Sequence, residues 1–159
     1  MSSKYYTTTE TAKLIRKALK VKFPTVKFSV RSSMYSGGSS INVSWIDGPM
    51  TEEVNSVVKF YEGASFDGMT DSKSYKSALM VFEGEEFPTE IHFGADYVFI
   101  NRSMSSESKA ILVEKFEQIA GIKYEDNKTY STQEFGYYQM PTMYGCQIIN
   151  HMFYEKVGA

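Results

Sequence analysis

The sequence predicts an α+β fold: a single domain with a mainly antiparallel sheet, helices packed on one face of it, and a start in the order helix, strand, strand, helix. Three observations lead there. Val26-Lys27-Phe28-Ser29-Val30-Arg31 and Ile41-Asn42-Val43-Ser44-Trp45 alternate apolar and polar residues with period two, the mark of half-buried strands. Between them lies Met34-Tyr35-Ser36-Gly37-Gly38-Ser39, rich in turn formers, so the pair is expected to be a hairpin. Apolar residues at helical spacing flank the hairpin: Ala12, Ile15 and Leu19 before it, and Val54, Val57, Val58 and Tyr61 after it.

The elements follow in order. Residues 1–7 carry no periodic pattern and are expected to fray. Thr7 and Glu10 stand at capping-box spacing and open the first helix, and Pro24 stops it. Asp47-Gly48-Pro49 is a turn that starts the second helix, with Asp as cap, Pro at the first helical position, and Glu52 and Glu53 in the first turn where the helix dipole favours negative charge. Gly63 is expected to end it. Residues 64–71 are expected to be a loop, 72–76 a helical turn or irregular, and 78–82 a short strand. Glu83-Gly84-Glu85-Glu86 is an acidic turn, and residues 89–93 and 96–102 are two further strands joined at Gly94. Ser105 or Ser106 caps a third helix with inner face Leu112, Val113, Phe116, Ile119 and Ala120, ended by Gly121. The segment from residue 123 holds Tyr124, Tyr130, Phe135, Tyr137, Tyr138 and Tyr144. It is expected to be a Tyr-rich C-terminal extension (123–159) packed on a core of residues 7–122. Residues 147–157 fit a strand or a short helix.

At 159 residues the chain is long enough for a core that needs no metal or disulfide. No run approaches the roughly 18 apolar residues of a membrane span, so no membrane association is expected. Met1-Ser2-Ser3-Lys4 is followed by no apolar stretch, so no secretory leader is expected. Cys146 is the sole cysteine, which excludes an intrachain disulfide and fits a reducing cytoplasm. The net charge of −2 conceals a split. Residues 1–33 hold eight cations against Glu10 alone, net +7; the rest holds nine cations against eighteen carboxylates, net −9. Such a split marks either a solvated basic face or a patch that attracts an anionic partner.

Few patterns carry chemistry. Asp67 and Asp71 bracket Gly68, but their spacing matches no metal-binding loop, and turn chemistry accounts for them. His92 and His151 are the only histidines. His151 near Cys146 suggests a nucleophile and its base, which needs a spatial contact that sequence does not supply. The Gly-rich hairpin tip lacks the lysine and following helix of a phosphate-binding loop. No catalytic residue, metal ligand set or cofactor is assigned. The residues that fit a binding surface are Lys27, Ser29, Arg31, Asn42 and Ser44 on the polar side of the hairpin, Tyr35 at its tip, and Lys13, Arg16, Lys17 and Lys20 on the first helix. Arg31 leads the set because its planar fork suits a carboxylate or phosphate.

Three blocks, Phe23 to Ser33, Ser40 to Pro49 and Phe66 to Asp71, together resemble the type numbered 29 among the "large polyvalent protein associated" domains of bacteriophages and other mobile elements. The resemblance covers about residues 7–102. It implies a phage or plasmid context, because polyvalent proteins are thought to enter the recipient cell with incoming DNA and help it survive host defences. It brings no established reaction and no catalytic residues. The expectation is therefore a non-catalytic accessory protein in the cytoplasm of a bacterial host, counteracting a defence system by binding a host protein or complex. The alternative is a binder of nucleic acid or of a small anionic signalling nucleotide, through the basic helix and the polar sheet face. The third reading is a metal-dependent enzyme acting on such a ligand. The oligomeric state is open.

Overall fold

The computed structural model describes residues 2–137 and 139–155, so Tyr138 and the end of the 147–157 segment lie outside the described residues. The architecture is α+β, and the chain divides into two compact units, residues 1–103 and 104–159.

The first unit begins with strand β1 (Ser3–Tyr6), not with a frayed end. β1 pairs in parallel with β7 (Thr89–Phe93), Ser3 opposite Glu90 and Tyr6 opposite Phe93. Its residues are mostly exposed, so no alternation marks it in the sequence. Helix α1 (Thr8–Lys22) starts as expected: Thr7 Oγ1 accepts the Glu10 N–H at 3.2 Å, and the Glu10 carboxylate accepts the Thr7 N–H at 2.9 Å. Those bonds hold the Glu10 carboxyl below its ordinary value.

Strand β2 (Ser29–Tyr35) runs antiparallel to β3 (Gly38–Ile46), with Ser29 opposite Ser44 and Tyr35 opposite Gly38. The ladder thus continues through the expected tip, leaving a turn of Ser36 and Gly37 alone, with Gly37 at φ 91°. β3 pairs in parallel with β8 (Tyr97–Ser103), Ser40 opposite Tyr97 and Trp45 opposite Arg102. This three-stranded sheet, in the order β2-β3-β8, carries α1 and helix α2 (Thr51–Val58) on one face. Val30, Ile41, Val43 and Trp45 meet Ala12, Ile15, Leu19, Val54 and Val58 in one buried cluster. At roughly 1.5–3 kcal/mol per large aliphatic or aromatic side chain, that burial dominates the stability of the unit.

α2 starts later than the Asp47 cap suggests. The Glu53 carboxylate accepts the Met50 N–H at 2.8 Å, and Asp47 instead turns the chain at φ 54°. Its N–H reaches the Ser103 carbonyl at 2.8 Å. A single tighter turn (Lys59–Tyr61) ends the helical stretch. Gly63 lies beyond it and has a different role from a helix stop: a Cβ there would overlap the Phe93 carbonyl oxygen. Residues expected as a loop and an irregular stretch form a hairpin, β4 (Ala64–Asp67) with β5 (Ser72–Tyr75), Ala64 opposite Tyr75. Strand β6 (Ala78–Met80) pairs antiparallel with β7 and completes a sheet in the order β1-β7-β6. The two strands expected to meet at Gly94, β7 and β8, therefore belong to different sheets.

The second unit is built on helix α3 (Ser106–Ala120), capped by Ser105, whose Oγ accepts the Ser108 N–H at 3.1 Å, and ended by Gly121 at φ 68°. Strands β9 (Thr129–Ser131) and β10 (Thr142–Tyr144) pair antiparallel. Helix α4 (Gly145–Tyr154) resolves the choice between strand and helix for the last segment. Packing accounts for two of the tyrosines of this region, Tyr124 and Tyr130. The buried Phe116 ring stands 4.9 Å from Tyr130, 5.0 Å from Phe135 and 5.2 Å from Tyr124. The Tyr130 hydroxyl donates to the Lys123 carbonyl at 2.9 Å and accepts the Glu125 N–H at 2.9 Å, so its polar tip is satisfied at the edge of the core.

Candidate functional site

The alternation that buries one side of the β2-β3-β8 sheet presents its other side as a row-ordered polar surface. Arg31 stands opposite Asn42, and Asn42 opposite Phe99. One step along, Ser29 stands opposite Ser44, and Ser44 opposite Asn101. Arg31, Asn42, Phe99, Ser29 and Asn101 are exposed, and Ser44 is half-buried. The Phe99 ring is 55% exposed and lies 6.2 Å from that of Tyr97. A guanidinium, an amide and an aromatic ring therefore sit side by side on three neighbouring strands. A rigid sheet holds them, and residues of this mix are favoured at protein interfaces. At one end of the sheet the surface continues into an open groove of about 830 Å³, where Lys27, Ser29, Ser44, Ile46 and Ser103 meet the edge of Trp45.

The sequence-derived set divides. Lys27, Ser29, Arg31, Asn42 and Ser44 share the open face and its groove. Tyr35, half exposed, ends β2 beside the turn. Lys13, Lys17 and Lys20 are exposed on α1, whose buried stripe of Ala12, Ile15 and Leu19 packs on the opposite face of the sheet. They form a separate stripe and do not extend the hairpin's surface. Arg16 lies on the same helix and donates to the Val30 carbonyl at 2.6 Å, occupying one backbone acceptor of β2.

Phe99 and Asn101 belong to the surface but were not in the sequence set. The alternation of Tyr97, Phe99 and Asn101 against Val98 and Ile100 was the available signal. What it lacked was the pairing partner, since β8 joins β3 across a long parallel connection. Two further charged residues were unforeseen. Arg102, buried at 8% exposure, donates from Nε to the Asp47 carbonyl at 3.0 Å and from a terminal nitrogen to the Gly48 carbonyl at 3.1 Å, which fixes the rim of the groove. Asp96, also 8% exposed, accepts the Ser39 N–H at 2.9 Å and the Lys73 ammonium at 2.8 Å. The hydrogen bond to Asp96 holds the Lys73 ammonium above its ordinary value. This junction ties the hairpin tip to the β4–β5 arm, and it explains the Gly-rich stretch. A Cβ on Gly38 would lie 2.6 Å from Asp96 Oδ2.

Asp67 accepts the Met69 N–H at 2.9 Å and the Thr70 hydroxyl at 2.9 Å, and those bonds lower its carboxyl below the ordinary value. Asp71 occupies the left-handed region at φ 50° in the same turn. Cys146 and His151 are five positions apart on α4, a spacing that turns them away from each other on a helix. His151 Nδ1 lies 3.2 Å from Glu155 and its ring packs on Tyr137. Burial pushes the Tyr137 hydroxyl up to about 12. His92 stacks beside Tyr5. Among the described residues no group of three or more His, Cys, Asp or Glu is placed to hold a metal ion, and no helix is long and apolar enough to cross a membrane.

The first unit is thus a small α+β module that shields one sheet face with two helices and offers the other. The sequence model of the family described as large polyvalent protein associated domain 29 matches residues 6–105, and the chain belongs to that family. The match covers nearly all of the first compact unit, residues 1–103, so the sheet with its open face lies within the family domain. No curated protein and no solved structure matches the chain.

Proposed function

We propose that this chain is a non-catalytic accessory protein of a phage or other mobile element that counteracts a host defence system by binding a host protein or complex in the bacterial cytoplasm. The observation that carries the reading is the open face of the β2-β3-β8 sheet, where Arg31, Asn42 and Phe99 stand in one cross-strand row. Family membership supplies the biological setting. Bound protein would cover Phe99, whose exposed ring contributes apolar area, and would pair a carboxylate with Arg31 bidentately. The test is plating efficiency. Bacterial strains that each carry one defence system express the chain and are challenged with a phage sensitive to that system. Plating is expected to recover for at least one system with the native chain and to stay low with Arg31→Glu. No recovery for any system, or equal recovery with both proteins, would overturn the reading.

A second reading, binding of nucleic acid or of an anionic nucleotide, rests on a different surface: the exposed stripe of Lys13, Lys17 and Lys20 on α1. Cations spaced along one helix neutralise successive phosphates, and affinity then falls steeply with salt.

A further inference from the structure

The outermost strand of the β1-β7-β6 sheet is β6, which pairs with β7 on one side only. Its sequence continues as the apolar run Ala78-Leu79-Met80-Val81-Phe82, in which Leu79 is 62% and Val81 63% exposed. Exposed edge strands are ordinarily blunted by shortness, an inward charge, a proline or a bulge; β6 is short, with three paired residues, but the apolar run continues two residues beyond it. This run has neither charge nor proline within it. The outer edge of β2, by contrast, has a charged side chain on it, Arg16 bonding to the Val30 carbonyl.

Charges flank the β6 run instead, and their signs differ on the two sides. Lys76 precedes it, and Glu83, Glu85 and Glu86 follow it. Such a segment is complementary to itself reversed. In an antiparallel two-fold pairing centred on Met80, Leu79 faces Val81 of the second copy and Ala78 faces Phe82. Beyond Phe82 the chain turns, the Glu85 N–H bonding to the Phe82 carbonyl at 3.0 Å, so Lys76 of one copy lies toward the acidic turn Glu83-Gly84-Glu85 of the other. Because a two-fold interface repeats every contact, both ends of the pairing join opposite charges. The apolar centre loses water on both faces of the same ladder.

We propose that β6 is a self-association edge: a second copy of this chain adds its own β6 antiparallel, and two three-stranded sheets become one continuous sheet. The contact is small, so the dimer is weak and forms reversibly with concentration. Charge on the flanks sets the register, and the apolar run supplies the adhesion.

Sedimentation of the full chain over a concentration series tests this. A reversible monomer–dimer equilibrium is expected, weakening as salt screens the flanking charges. Lys76→Glu and Glu83→Lys alter exposed positions, so both variants should fold with unchanged circular dichroism. Each should weaken self-association by at least about fivefold, because like charges then face each other at both ends of the pairing. Mixed in equal amounts, the two variants should regain association, since each now meets the opposite sign in the other. Leu79→Asp should be monomeric throughout. A native chain that stays monomeric up to about 1 mM would overturn the proposal. So would a dimer indifferent to these variants, or a mixture that fails to recover association.

Discussion

Replacing Asp96 separates two contributions that meet at one carboxylate. Its side chain is 11% exposed and accepts a backbone N–H from Ser39 at 2.9 Å and the Lys73 ammonium at 2.8 Å. Asp96→Ala strands the buried Ser39 N–H, at about 1–3 kcal/mol for an unsatisfied donor. The lost ion pair adds less, about 0.2–1 kcal/mol, because the Lys73 side chain keeps 25% exposure and can turn to water. Asp96→Asn retains an acceptor for the Ser39 N–H and loses only the charge, so it should cost about 1 kcal/mol or less. Gly38→Ala places a methyl 2.6 Å from Asp96 Oδ2 and 3.2 Å from the Tyr35 ring, an overpacking of about 1–3 kcal/mol. In the Asp96→Ala background most of that clash is gone, so the double variant should be more stable than the sum of the singles by about 1 kcal/mol. The assay is urea unfolding followed by the fluorescence of Trp45. It is the only tryptophan in the chain, 2% exposed in the core of the same unit. Asparagine costing as much as alanine would place the stabilisation in the ion pair and refute the reasoning. Strict additivity of Gly38→Ala and Asp96→Ala would refute the contact between them.

Further outcomes follow from other parts of the molecule. Phe116→Ala removes a fully buried ring that touches three other aromatic rings, and should destabilise the second unit by about 3–5 kcal/mol, measured by near-ultraviolet circular dichroism of its tyrosines. Asp126 is held below its ordinary value of 3.8 by the Tyr124 hydroxyl and then by the Lys109 ammonium. A lowered carboxyl contributes stability that is in place above that ordinary value and lost as pH falls through the lower folded one. Asp126→Asn should therefore flatten the acid limb of a stability–pH curve in that window, and an unchanged limb would contradict the assignment. Fluorescence anisotropy with labelled DNA and RNA at low salt checks the stripe on α1. If that surface binds nucleic acid, Lys17→Glu should weaken binding and lower the slope of log affinity against log salt by about one to two. Absence of binding removes the second reading.

Local signals carried the elements whose stability is local. The Thr7–Glu10 capping box, the alternation of residues 29–31 and 41–45, and the Ser105 to Gly121 helix were legible because each is written within one element. β1 and the β4–β5 hairpin were not, because their strands are mostly exposed and carry no period. β1 is held by β7, more than eighty residues further along. Separation in sequence likewise hides part of the candidate surface. Arg31 and Asn42 followed from the hairpin, whereas Phe99 and Asn101 join them only through the parallel pairing of β3 with β8. Nearness in the chain groups the α1 cations with the hairpin. The layering separates them, because the apolar stripe of α1 must face the sheet and its cations must face away.

Paired affinity capture tests the central claim most directly. The native chain and Arg31→Glu, an exposed substitution that spares the core, are immobilised at equal density and exposed to the same bacterial lysate. Retained proteins are quantified by mass spectrometry. A host protein or complex of a defence system, enriched on the native chain and lost from the variant, is the predicted result. Equal retention on both, or a native chain that retains nothing above an unrelated control, would contradict the account.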